Sequence, residues 1–245
     1  GICFFFDISV ASSSDPNEIP AMPDASPAKF QTTKAYDVLI AAPLILFYGF
    51  SMGGLLPQFA AASRAWPSWN SALQISALAS NMSYFALVIA LIFLRRMPAA
   101  KSKGPWPRVV ALVGANLLVA LLALPKIPLT PLRAALSTVL AGGGTVVEIL
   151  ILLWLGRSFS LLPEARRLVT TGPYRRIRHP LYLAGLVGSL GAMLQYRQPW
   201  ALLIVLAALG FQIARMSYEE QVLRATFPEY GRYIARTWRL VPGVY

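Results

Sequence analysis

Residues 168–185 read LVTTGPYRRIRHPLYLAG and concentrate the groups of this chain that could do chemistry. Arg175, Arg176 and Arg178, with Arg167 just upstream, stand beside His179, the chain's only histidine. Gly172-Pro173 is a turn signal that opens the stretch, and Pro180 ends its basic run. Topology alone would explain basic residues in a loop. It does not require two prolines and a glycine to fix the backbone around them. A ligand site does have a reason for that rigidity, because preset donors need little reorganisation. The counter-charge is the acidic pair Glu219-Glu220, one apolar hairpin later. The bland alternative for that pair is a solvated helix face with Glu220 and Arg224 at i,i+4.

The elements that must position these groups are apolar. The chain has 245 residues, is 56% hydrophobic and 13% charged, and has a mean hydropathy of +0.57. Several runs approach the roughly 20 apolar residues that span a bilayer. The reading is an all-α, polytopic membrane helical bundle with about six transmembrane helices and a helical C-terminal tail. The segments fall near 38–60, 71–94, 107–125, 132–156, 181–196 and 199–216. Residues 195–199 (QYRQP) make the last two an antiparallel hairpin.

The net charge of +12 does not point to nucleic acid, because the basic residues sit at segment ends, where charge sets orientation. They alternate in a way that puts both termini, the basic loop and the acidic pair on one side, the cytoplasmic one. The single cysteine, Cys3, excludes an internal disulfide and a Cys-rich metal site, and one histidine excludes a two-His site, so no metal is expected. Residues 1–37 form a tail rich in Ser, Pro and Asp that reads as loop. Residues 38–130 hold helices without a recognised motif. Residues 131–245 hold the candidate site.

Inside the segments, Gly185, Gly188 and Gly191 recur every third residue. They either let helices approach closely or leave a path for a substrate tail. Gly142-Gly143-Gly144 implies a kink or a close backbone contact. Glu148, a carboxylate inside a span, is by default a functional hypothesis; the alternative is a hydrogen-bonded structural residue facing Asn116. The tail after Glu220 carries Tyr218, Tyr230, Tyr233 and Trp238 among basic residues and reads as a lid or floor on the membrane surface.

GPYRRIRHPLYLAG, a helical hairpin, an EE pair and a terminal WRLVP together resemble the isoprenylcysteine carboxyl methyltransferase family, whose broader group includes phospholipid N-methyltransferases. The resemblance covers about residues 150–245. It implies S-adenosyl-L-methionine as cofactor, a cytoplasm-facing cofactor pocket and a lipophilic acceptor that enters from the bilayer. Carried over by position, the cofactor site comprises Gly172, Pro173, Tyr174, Arg178, His179, Pro180, Tyr182, Gly185, Glu219 and Glu220. Carboxylates would take the cofactor's ammonium and ribose hydroxyls, an arginine or His179 its carboxylate, and Tyr or Leu its adenine. A carboxylate acceptor needs no base, and Arg175 or Arg239 would hold it. An amine acceptor must lose a proton, which brings in Glu148 or His179. Two other readings stay open: an NADPH-dependent enzyme like the sterol reductases, which share an RHPxY element, and a non-enzymatic transporter or scaffold.

Overall fold

A computed structural model describes residues 33–244; the expected loop over residues 1–32 lies outside them. Six long helices alternate in direction: α1 (Lys34–Arg64), α2 (Trp69–Leu94), α3 (Trp106–Asn116), α4 (Pro131–Leu155), α5 (Pro180–Met193) and α6 (Trp200–Thr226). A 3₁₀ segment, Leu117–Ala123, prolongs α3, and a short α7 (Tyr230–Ile234) lies in the tail. Five of the six helices are long and apolar enough to cross a membrane. Helix α5, with 14 residues, rises only about 21 Å against a hydrocarbon core of about 30 Å. Its carbonyl ends continue into a tight connection to α6 that is bonded to the α3–α4 linker through Ile127 N–H to Gln195 O and Arg197 N–H to Pro125 O.

Local sequence sets the boundaries. Thr130 caps α4, accepting from Arg133 N–H, with Pro131 at the first helical position, where the missing N–H has no partner to lose. Pro180 plays the same part in α5 and leaves His179 as the cap residue. Ser68 and Ser71 form a reciprocal capping box on α2.

Two expected boundaries move for a common reason. Helix α1 starts at Lys34, inside the expected tail, and α6 runs ten residues past Met216 to Thr226. In both cases charged residues find buried partners, so charge does not end the helix. Asp37, only 2% exposed, receives Arg95 Nε at 2.9 Å and Arg166 Nη2 at 3.1 Å. Arg166 also pairs with Glu164 at 2.6 Å and donates to Arg96 O. A two-stranded ladder, β1 (Ala100–Lys101) with β2 (Glu164–Ala165), straps the same loops together. The basic loops, the start of α1 and the tail therefore meet at one end of the bundle, as the alternation of charge predicts.

Small residues join α4 to α5. A methyl on Gly144 would lie 2.6 Å from Gly188 N, and one on Gly191 would strike Leu140 and Ala141. Ser137 Oγ donates to Gly191 O at 2.9 Å. Gly188 and Gly191 are thus packing positions. Gly185 differs: a methyl there would lie 2.9 Å from the Glu148 carboxylate. Gly142 and Gly143 have open space at their Cβ positions. Asn116 turns back to its own helix and donates to Leu112 O.

Candidate functional site

The basic loop is fixed by the C-terminal tail. Gly172–Arg175 forms a 3₁₀ turn with Gly172 at φ 60°, a left-handed conformation natural to glycine. Gly172 also lies against the Trp154 indole, where a side chain would collide. Beyond the turn the loop pairs in parallel with the tail. Trp238 N–H donates to Arg176 O at 2.9 Å, Arg178 N–H to Trp238 O at 2.8 Å and His179 N–H to Arg239 O at 3.1 Å.

This pairing delivers two arginines and a histidine to Glu220. One carboxylate oxygen, Oε1, faces Arg178 Nε at 3.0 Å, His179 Nε2 at 3.1 Å and Arg239 Nε at 3.3 Å. Arg178 also donates to Thr237 O at 2.6 Å and Ile234 O at 3.2 Å, and Arg239 to Ser217 Oγ at 2.7 Å. The expected alternative, a solvated Glu220–Arg224 pair, gives way to this network; Arg224 is exposed. The i,i+4 pair on α6 is instead Arg215–Glu219, at 3.3 Å. Glu219 Oε1 accepts from Tyr182 OH at 2.5 Å, and its Oε2 lies 3.9 Å from His179 Nδ1. The Arg215 guanidinium sits over the Tyr182 ring at 5.2 Å, a cation–π arrangement. His179, 5% exposed, is therefore held between both carboxylates and edge-on to Tyr182.

Beside this network lies a recess of about 120 Å³ that is open to the outside. Its wall includes Tyr174, Arg178, His179, Tyr182 and Glu219. Tyr230 and Tyr233 of the tail close it, and Tyr233 OH donates to Tyr174 O at 2.6 Å. Burial raises the Tyr174 and Tyr230 phenols above the usual tyrosine range and pushes Tyr233 up to about 12. All three remain neutral donors at neutral pH.

A second, larger cavity of about 710 Å³ lies within the bundle. Asn81, Tyr84, Glu148, Gly185 and Gln212 are on its wall, and Gln212 Oε1 is buried without a hydrogen-bond partner. Phe159, Leu181, Tyr182 and Arg215 line both cavities.

The structure thus gathers Tyr174, Arg178, His179, Tyr182, Glu219 and Glu220 in one place, with Arg239 behind Glu220. Gly185 and Glu148 face the larger cavity. Gly172, Pro173, Pro180 and Arg175 lie on a third, outward-facing groove between α4 and α5, about the basic turn but away from the recess. Arg215 and Arg166 are recess residues that the sequence did not single out, and Tyr230 and Tyr233 of the expected lid or floor stand on its wall. Arg215 carried a signal, an arginine four residues before a glutamate at the end of an apolar helix.

The donor set of the recess fits S-adenosyl-L-methionine. Glu219 offers an oxygen toward an ammonium or hydroxyls, the exposed Arg167 lines the wall where a carboxylate would be met, and Leu155, Leu162 and Leu168 supply apolar cover. Arg166 Nε and Arg215 Nε are buried with no hydrogen-bond partner.

Residues 132–230 match the family described as phospholipid methyltransferase, which falls in one group of membrane methyltransferases with the isoprenylcysteine enzymes. The chain is 40% identical over 81 residues to the nickel-cobalt-cadmium resistance protein NccN of Alcaligenes xylosoxydans xylosoxydans, covering 32% of this chain and 38% of that one. It is 40% identical over 77 residues to the cobalt-zinc-cadmium resistance protein CzcN of Cupriavidus metallidurans, covering 31% and 35%. The match thus spans little more than a third of the length of either relative.

Proposed function

We propose, from the family match over residues 132–230, that this integral membrane protein is an S-adenosyl-L-methionine-dependent methyltransferase acting on a lipophilic acceptor drawn from the bilayer. The supporting observation is the shared wall: Tyr182 and Arg215 border both the polar recess and the larger cavity inside the bundle. A water-soluble cofactor and a membrane-soluble acceptor need separate entrances and one common point, and this arrangement provides them.

When bound, the cofactor supplies an activated sulfonium methyl group. The chain's own residues then bind, orient and exclude water. Glu220 is committed to Arg178, His179 and Arg239 and fixes the loop against the tail. Glu219 keeps Oε2 for a cationic or hydroxyl partner. Tyr182, held by its bond to Glu219 and by the Arg215 cation, sets the spacing between the cavities. Alignment and water exclusion are the main catalytic contributions of such a site.

The acceptor is read from the larger cavity. Glu148 is a carboxyl group on its wall, which could take a proton from an ammonium and offers a carboxylate acceptor no counter-charge. It favours an amine headgroup, as in a phospholipid N-methyltransferase. The second reading, a prenylcysteine-like carboxylate and O-methylation, is favoured by Arg215, whose guanidinium at the shared wall would hold such a group.

Chemistry separates the two. Membranes carrying the protein are incubated with methyl-labelled S-adenosyl-L-methionine, and the labelled lipid fraction is treated with mild base. Methyl esters release label as methanol; methylamines keep it. For the amine reading, label resists base and Glu148→Gln lowers turnover while leaving S-adenosylhomocysteine binding intact. Label lost to base supports the carboxylate reading. No labelled lipid from a folded, cofactor-binding protein would contradict both.

A further inference from the structure

The groove between α4 and α5 opens outward, away from both cavities, with a volume of about 780 Å³. Its floor is apolar and includes Gly143, Gly144, Ile151 and Ala184. Its flank carries Val147 and Leu150, which are 46% and 60% exposed on a helix long and apolar enough to cross the bilayer, so lipid is its immediate neighbour. At one end stand Arg175 and Arg176, both exposed. Among the described residues neither guanidinium joins an ion pair, whereas Arg178, two positions on, is bound to Glu220, Thr237 and Ile234.

The length is informative. From Gly143 to Trp154, beside the arginine end, α4 rises roughly 17 Å at 1.5 Å per residue. That is about half of the ~30 Å hydrocarbon core, the depth of one leaflet. Trp154 is 54% exposed and lies against Gly172, at the height where an amphipathic ring meets headgroups.

We propose that this groove is a binding site for one anionic phospholipid of the surrounding bilayer. An acyl chain lies over Gly143 and Ile151, and the headgroup phosphate is held by Arg175 and Arg176. The site is separate from the acceptor cavity. The occupant is a lipid because the groove supplies both an apolar channel of leaflet depth and unpaired cations at its end; a soluble phosphate would use only the second. The same turn carries Tyr174 and leads into Arg178 and His179, so an occupied groove would brace the loop that builds the recess.

The test is native mass spectrometry of the full chain released from detergent, titrated with phosphatidylglycerol, phosphatidylcholine and inorganic phosphate. The expected result is one retained phosphatidylglycerol, bound more tightly than phosphatidylcholine. The Arg175→Gln/Arg176→Gln double variant should weaken it roughly tenfold to thirtyfold, at about 1 kcal/mol per basic residue near a lipid surface. Lysine at both positions should restore most of the affinity. Gly143→Leu, whose side chain enters open space and whose helix propensity is better, should block the acyl chain; Gly142→Leu, on the other side of α4 toward the larger cavity, should not. Phosphatidylglycerol retained equally by the double glutamine variant would overturn the proposal. So would inorganic phosphate binding the arginines as tightly as the lipid, or Gly143→Leu leaving lipid affinity unchanged in a monodisperse protein.

Discussion

Two networks of carboxylates and arginines sit at the same end of the bundle, and they differ in what they leave free. In the first, Asp37 and Glu164 meet Arg95 and Arg166, and each of these four side chains is at most 5% exposed. Both oxygens of Asp37 are engaged, and the network ties the start of α1 to the loops after α2 and α4. In the second, Glu219 and Glu220 are 19% and 11% exposed, and Glu219 borders an open recess. Arg178, His179 and Arg239 converge on one oxygen of Glu220, while Glu219 keeps Oε2 3.9 Å from His179 Nδ1. The closed network has the form of a structural clamp, and the open one the form of a binding site. Charge alone does not distinguish them; solvent access at the recess does, with Glu219 19% exposed against 3% for Asp37.

The contrast can be broken from either side. Asp37→Ala leaves Arg95 buried without a carboxylate and Arg166 with Glu164 as its remaining partner, a change that typically costs about 3–5 kcal/mol. It should produce the largest fall in thermal midpoint of any variant considered, with cofactor affinity of the remaining folded protein little changed. Glu219→Gln should do the reverse. It should weaken S-adenosylhomocysteine binding by about tenfold to a hundredfold, as expected for loss of a charged hydrogen-bond partner, with a smaller fall in thermal midpoint than Asp37→Ala, because glutamine keeps an acceptor beside Tyr182 and Arg215. Equal stability losses for both would erase the distinction. The smallest effect sharpens it. Tyr233→Phe removes one tail-to-loop bond and should cost about 1 kcal/mol, read by thermal unfolding. The Tyr233 phenol titrates higher in the folded chain (about 12) than its ordinary value of 10.0. Its contribution is thus complete below pH 10 and drains away as pH rises toward 12; the parent should lose stability over that window more steeply than Tyr233→Phe.

The open network was largely legible in the sequence and the closed one was not. GPYRRIRHP and Glu219-Glu220 announce themselves by local order, and the apolar hairpin between them fixes their distance. Asp37, Arg95 and Arg166 are separated by 58 and 129 positions from Asp37 outward, and each looks like an ordinary charge at a segment end. Charge content also misplaced two helix boundaries, because polar residues were read as solvent-facing when they are paired. Gly172, Pro173 and Arg175 belong to the same motif as His179, yet the 3₁₀ turn points them to the lipid-facing groove. A motif shows which residues stay together along the chain; only the backbone path shows which face each one serves. The tail was expected as a lid, and its pairing with the basic loop through Trp238 makes it part of the recess itself.

The central claim is that the recess holds S-adenosyl-L-methionine through Glu219, Glu220 and the groups they position. Calorimetry of S-adenosylhomocysteine binding to the detergent-purified protein tests it most directly, with His179→Ala and Glu220→Ala beside the parent. The account predicts one site per chain for the parent, weakened at least about tenfold in both variants. A folded parent that binds neither S-adenosylhomocysteine nor S-adenosyl-L-methionine, or variants that bind as tightly as the parent, would contradict it.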